Sequence, residues 1–129
     1  MAGYKRFEEL PIWQKARVFS KRIYEATLSD SFSKEFRLCS QIRASSGSIM
    51  DNVAEGFERN GNGEFKQFLF IAKGSSGETR SQLYRAFDCG YLTEESFIKL
   101  KNESEEISKS ISNFIDYLNT SEIKGVKYK

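Results

Sequence analysis

Lys66, Lys73 and Arg80 recur every seven residues, and a row of cations on one helix face can neutralise successive phosphates of a nucleic acid. Arg43 and Arg59 belong to the segment expected to lie alongside. Glu64 and Glu78 interrupt this basic field, so the commoner outcome for such a row, a solvated or ion-paired face, competes with phosphate binding. No aromatic residue is clearly placed by the sequence for stacking on bases. Other chemistry is scarce. The chain has no histidine, which removes the usual general base, the commonest metal ligand and the Glu-x-x-His pairs of di-iron bundles. Cys39 and Cys89 form no zinc motif, have no His partner, and are expected to stay thiols in a reducing compartment. No GxxxxGKS loop occurs, and Gly61-Asn62-Gly63 reads as a turn. No catalytic residue, metal, cofactor or small-molecule substrate is therefore expected, and the chain reads as a binding protein rather than an enzyme.

These side chains need a scaffold, and 129 residues suffice for one domain. Hydrophobic residues make up 39% and charged residues 29%, with 11 Phe and 6 Tyr, the balance of a packed protein. No apolar run reaches the roughly 20 residues that span a bilayer, and the opening residues lack the apolar core of a secretory signal. A cytoplasmic location without membrane contact is the expectation. Formal charge is only +2, but its distribution is uneven: residues 91–120 carry three basic and six acidic groups, and residues 1–32 six and four.

Apolar periodicity outlines four helices. Pro11, the only proline, sits where a first-turn proline is tolerated, and Ile12, Ala16, Phe19, Ile23 and Ala26 form one stripe ending near Leu28. Ser33 is placed as the N-cap of a second helix with Leu38, Ile42, Ile49 and Val53 inward, ending near Arg59 at the Asn60–Gly63 turn. Glu64 opens a third, with Phe65, Leu69, Ala72, Ser76, Thr79, Leu83 and Ala86 inward and Gly90 as a left-handed stop. Thr93 caps a fourth, along which Phe97, Leu100, Ser104, Ile107, Ile111, Phe114 and Leu118 alternate by threes and fours. The small centres Ala44–Ser48 and Gly74–Gly77 predict a close approach of the second and third helices. Short connections favour an all-α, antiparallel up-down-up-down four-helix bundle over residues 1–120, followed by a short basic tail over 121–129, expected to be mobile.

Two surfaces remain to be explained. Gln41, Ser45, Ser48, Asn52, Glu55 and Arg59 form a polar stripe on the second helix. Asn52 and Glu55 could meet a partner, but hydrogen bonding across the bundle or a subunit interface is the stronger reading. On the third helix Phe70, Gly77, Tyr84 and Tyr91, with Phe87 adjoining, make a second apolar row. One bundle does not easily bury two apolar faces, so part of this row is expected to contact another subunit, a wide core seam being the alternative.

Certain segments are more particular than generic helix: Phe7-Glu8-Glu9-Leu10-Pro11-Ile12-Trp13-Gln14-Lys15-Ala16, Ser40-Gln41-Ile42-Arg43-Ala44, and Asn52-Val53-Ala54-Glu55-Gly56-Phe57-Glu58-Arg59. With Glu64-Phe65-Lys66-Gln67-Phe68-Leu69, Ile71-Ala72-Lys73-Gly74-Ser75 and Gly90-Tyr91-Leu92, the chain resembles the 23S rRNA-intervening-sequence protein family of bacterial four-helix-bundle proteins. The resemblance implies a homo-oligomer, with pentameric rings known among similar proteins. It also implies a nucleic-acid or nucleoprotein partner, since a related accessory protein of diversity-generating retroelements binds nucleic acid and a reverse transcriptase. The rival is a protein-only adaptor ring that docks another protein. Ala44 stands where the family often has a second basic residue, and Met50 where it often has proline, which predicts a straighter second helix.

Overall fold

The computed structural model describes residues 3–123, the last three by their backbone alone, and these residues form four α-helices and no strand. They are α1 (Pro11–Ala26), α2 (Phe36–Glu58), α3 (Asn62–Asp88) and α4 (Glu94–Ile123), with 3₁₀ turns at Phe7–Glu9 and Phe32–Lys34. Pro11 occupies the first helical position of α1, where its missing amide has no intrahelical partner to lose. α2 passes through Met50 without interruption. Lys124, Lys127 and Lys129 of the basic tail lie outside the described residues.

Each helix end has a local cause, and one differs from expectation. Ser33 does not cap α2. Its hydroxyl donates back to the Asp30 carbonyl at 3.3 Å, and the helix starts at Phe36 without a side-chain cap. The reason is Phe32, which is fully buried and stacks on Tyr91 at 5.5 Å, drawing the connection into a tight turn. Burying a phenyl ring is worth about 1.5–3 kcal/mol, more than the ~1 kcal/mol of a typical cap. α3 begins at Asn62, two residues before Glu64, after a left-handed Asn60 (φ 61°). Its other end follows the expectation: Gly90 has φ 82°, its amide bonds the Phe87 carbonyl at 3.0 Å, and Tyr91 bonds Ala86 at 2.8 Å. These are the two bonds of a Schellman stop. Thr93 caps α4 by accepting from the Ser96 amide at 3.1 Å.

The apolar stripes meet in one core. Ile12, Ala16, Phe19 and Ile23 of α1 face Leu38, Ile42, Ile49 and Val53 of α2, and all seven inward positions expected on α3 are buried. On α4 the seam runs through Phe97, Leu100, Ser104, Ile107 and Ile111, then passes to Ile115 and Leu118. Phe114, expected to be buried, is only half-buried. A straight helix of 3.6 residues per turn drifts away from a 3.5-residue pattern, so the buried position slips by one toward the end. Phe114 packs edge-on against Phe65 at 5.5 Å and stacks on Tyr117.

Paired residues run in opposite order along neighbouring helices. Ser20 meets Gly47 and Thr27 meets Arg43; Ser45 meets Gln82, Ser48 meets Ser75 and Gly56 meets Phe68. Phe87 meets Phe97, Ser76 meets Ser104, and Lys66 meets Asn119, while Arg22 and Lys15 of α1 reach Glu103 and Ser110 of α4. No helix of the described residues is long and apolar enough to cross a membrane.

Ile111→Ala should lower unfolding free energy by about 2–5 kcal/mol in a denaturant titration, since Ile111 is fully enclosed. Gly56→Ala should cost about 1–3 kcal/mol in the same assay, because a Cβ there would lie 2.6 Å from the Phe68 Cβ. A neutral result at either position would mean that the four stripes do not share this core.

Candidate nucleic-acid interface

The five basic residues named in the sequence, three by their spacing and two on the neighbouring helix, differ in what holds them. Arg43 is folded over α1: its guanidinium donates twice to the Thr27 hydroxyl, at 2.9 and 2.7 Å, and covers the Tyr24 ring at 4.8 Å. Arg59 is held by Glu55 at 3.0 Å and Glu64 at 3.5 Å and lies over Phe68. Lys66 donates to the Asn119 amide oxygen at 2.9 Å. Lys73 and Arg80 remain, and neither has an ion-pair partner among the described residues. Glu78, which seemed to break the field, accepts from Gln82 at 3.5 Å.

The second apolar row of α3 divides in the same way. Phe87 stacks on Phe97 at 4.6 Å, and Tyr91 stacks on Phe32 with its hydroxyl 3.5 Å from the Glu35 carboxylate, so both are half-buried in their own chain. Phe70 and Tyr84 are left out, at 59% and 47% exposure, although Tyr84 sets one edge against Phe97 at 5.0 Å. Phe70, Gly77 and Tyr84 each lie four residues beyond a basic residue, Lys66, Lys73 and Arg80 in turn. On a helix such pairs are neighbours on one face. The cationic and aromatic rows are therefore one surface. At its middle a Cβ on Gly77 would meet only the Arg80 guanidinium, at 4.0 Å.

The polar stripe of α2 turns inward at Ser45, Ser48 and Asn52 and leaves Gln41, Glu55 and Arg59 exposed. Ser45 is buried, 2.8 Å from the Thr79 hydroxyl, and donates to Gln82 at 2.6 Å; Ser48 accepts from Ser75 at 3.0 Å. Asn52 donates to both the hydroxyl and the carbonyl of Ser48 at 2.8 Å. Glu55 stands apart from this seam, on the surface with Arg59. Ser76 continues the seam to α4, donating to the Ser104 carbonyl at 3.0 Å and accepting from Ser108 at 2.9 Å.

Both cysteines are free, Cys39 buried and Cys89 exposed. Burial pushes the Cys39 thiol up from its ordinary value, the nearby Arg43 guanidinium offsetting part of that rise, and its Sγ donates to the Phe32 carbonyl at 3.1 Å. The Tyr91 phenol is likewise raised, first by desolvation and then by the Glu35 carboxylate. Among the described residues no three His, Cys, Asp or Glu side chains are grouped as a metal site requires.

The family model of the 23S rRNA-intervening sequence protein matches residues 8–113. The chain belongs to this family. A structure described as a protein of unknown function from the S23 ribosomal protein family of Bacteroides thetaiotaomicron VPI-5482 is similar. It shares 29% identity at a TM-score of 0.74, over 81% of this chain and 97% of that one. No curated protein gives a significant match. In this member of the 23S rRNA-intervening sequence family the exposed face of α3 thus combines Lys73 and Arg80 with Phe70 and Tyr84. The aromatic half of that face was named in the sequence, but as a subunit contact separate from the cations. The four-residue offset between the two rows was visible, but the capture of Phe87 and Tyr91 by other helices was not.

A glycine inside a helix costs roughly 0.5–1 kcal/mol relative to alanine. Gly77→Ala should accordingly raise stability by about that amount in thermal unfolding, since the added Cβ meets no close neighbour within the chain. Ser45→Ala should have the opposite sign, about 1–3 kcal/mol of destabilisation, by leaving Thr79 and Gln82 buried without their shared partner.

Proposed function

We propose that this chain is a non-enzymatic scaffold that binds nucleic acid through the outer face of α3. In this reading its four helices form an antiparallel up-down-up-down bundle and its copies associate into a homo-oligomer. One observation carries the reading: Lys73 and Arg80, without an ion-pair partner among the described residues, lie in step with exposed Phe70 and Tyr84 on a single helix face. Unpaired cations lose little on meeting phosphates, because no existing partner must be given up. Placement of a relative in a ribosomal protein family makes RNA the nearer choice of nucleic acid.

The same face is poorly suited to a subunit contact. Covering Phe70 and Tyr84 with protein would desolvate the neighbouring cations, a cost of several kcal/mol for each unpaired charge. Self-association fits the α1–α2 connection better, where Phe36 is 79% exposed and Leu28 is also exposed. So exposed a phenyl ring is the kind of anchor that an interface buries. A ring would repeat the α3 face about an axis and turn weak contacts into avidity.

Binding of a structured RNA, followed by fluorescence anisotropy across a salt series, should weaken steeply as salt rises. The Lys73→Ala, Arg80→Ala double variant should flatten the log–log slope by about 1.4–1.8, the loss of two phosphate contacts. Sedimentation at micromolar concentration should show a species larger than a monomer that Phe36→Glu dissociates. Failure to retain RNA at low salt would favour the adaptor reading, in which the apolar end at Phe36 docks another protein. A monomeric wild type would remove the ring.

A further inference from the structure

We infer that the α3 face takes unpaired rather than duplex nucleic acid, with Phe70 and Tyr84 as stacking platforms for bases and Gly77 as the floor between them. The inference rests on the nucleic-acid reading above and specifies its ligand. Three observations carry it. The rings of Phe70 and Tyr84 are exposed beside the cations, and a ring presented to solvent next to Lys73 and Arg80 can stack on a splayed base while the cations hold the flanking phosphates. In a duplex the base faces are already stacked on one another, so these rings would meet only sugar and phosphate.

The second observation is the setting of α3. It packs against α2 on one side, through Ser48–Ser75 and Ser45–Gln82, and against α4 on the other, through Lys66–Asn119 and Phe87–Phe97. A helix is about 10–12 Å across with its side chains, and the major groove is about 12 Å wide, so α3 with its neighbours cannot enter it. A strand lying along the outside has no such restriction.

The third is Gly77, with Gly74 beside it. Among the described residues a Cβ on Gly74 would meet nothing within 4 Å and one on Gly77 only the end of Arg80, so packing among them explains neither glycine. Gly56 is the contrast, since a Cβ there would collide with Phe68. A floor without side chains between two rings leaves room for a strand to lie close to the helix. From Phe70 to Tyr84 the helix rises about 21 Å. That is the length of about six nucleotides at a stacked spacing of about 3.4 Å, and of fewer when the strand is stretched.

The test compares a single-stranded RNA of about 12 nucleotides with a duplex of the same length at low salt. Three proteins are used: wild type, Phe70→Leu with Tyr84→Leu, and Gly77→Leu. Wild type should prefer the single strand. The leucine pair, which keeps apolar bulk but removes the rings, should weaken single-strand binding about tenfold or more and leave both the weak duplex binding and the salt slope in place. Gly77→Leu should weaken single-strand binding while melting no lower than wild type, because leucine is the better helix former. Equal binding of strand and duplex, or unchanged affinity in both variants with the Lys73 and Arg80 dependence intact, would overturn the single-strand inference alone. Absence of binding to either RNA would overturn the nucleic-acid reading and this inference together.

Discussion

The close approach of α2 and α3 is the constraint on which the other features of this molecule depend. Gly56 lets α2 settle against Phe65 and Phe68, and along the rest of the seam hydroxyls replace larger side chains. Hydroxyls brought out of water need partners, and Ser45, Ser48, Ser75, Thr79 and Gln82 supply them to one another. A register slip would separate those partners and leave several buried groups unsatisfied at once. The seam thus selects one alignment where a purely apolar contact would tolerate several, a use of buried polarity with parallels in coiled coils.

That alignment decides which side of α3 is left for a partner. With one flank against α2 and the other against α4, the remaining surface carries Lys73, Gly77 and Arg80 between Phe70 and Tyr84. The glycines separate into two kinds on physical grounds. Gly56 and Gly90 are required by the fold, one by a collision and the other by a positive φ. Gly77 lowers helix stability without such a reason, so its explanation belongs to the surface rather than the core.

Charge follows the same division. Two carboxylates of α4 are turned toward α1, where Glu103 pairs with Arg22 at 3.0 Å and Glu106 with Lys15 at 3.3 Å, and Glu105 takes Lys101 from its own helix. Such exposed pairs add little stability. Their consequence is electrostatic: carboxylates engaged elsewhere do not cancel the cations of α3, so a chain of net charge +2 can still present a locally positive face.

By itself the sequence determined the helices, because apolar spacing and turn residues act over a few positions and need no distant neighbour. The main apolar stripes of α1, α2 and α3, the Gly90 stop and the Thr93 cap were legible from such local patterns, whereas buried Cys39, Ser46, Ser75 and Gln82 were not. Ser33 was legible only as a cap; the distant Tyr91 ring that stabilises buried Phe32 decided otherwise. Family membership was readable from ordered motifs, but the fate of each exposed side chain was not. Whether a cation is free or held, or a ring is open or stacked, depends on contacts between residues far apart in the chain. Only the tertiary structure could assign Arg43 to Tyr24 and Thr27 and Phe87 to Phe97, leave Phe70 and Lys73 exposed, and keep Arg80 half-buried and Tyr84 partly open beside Phe97.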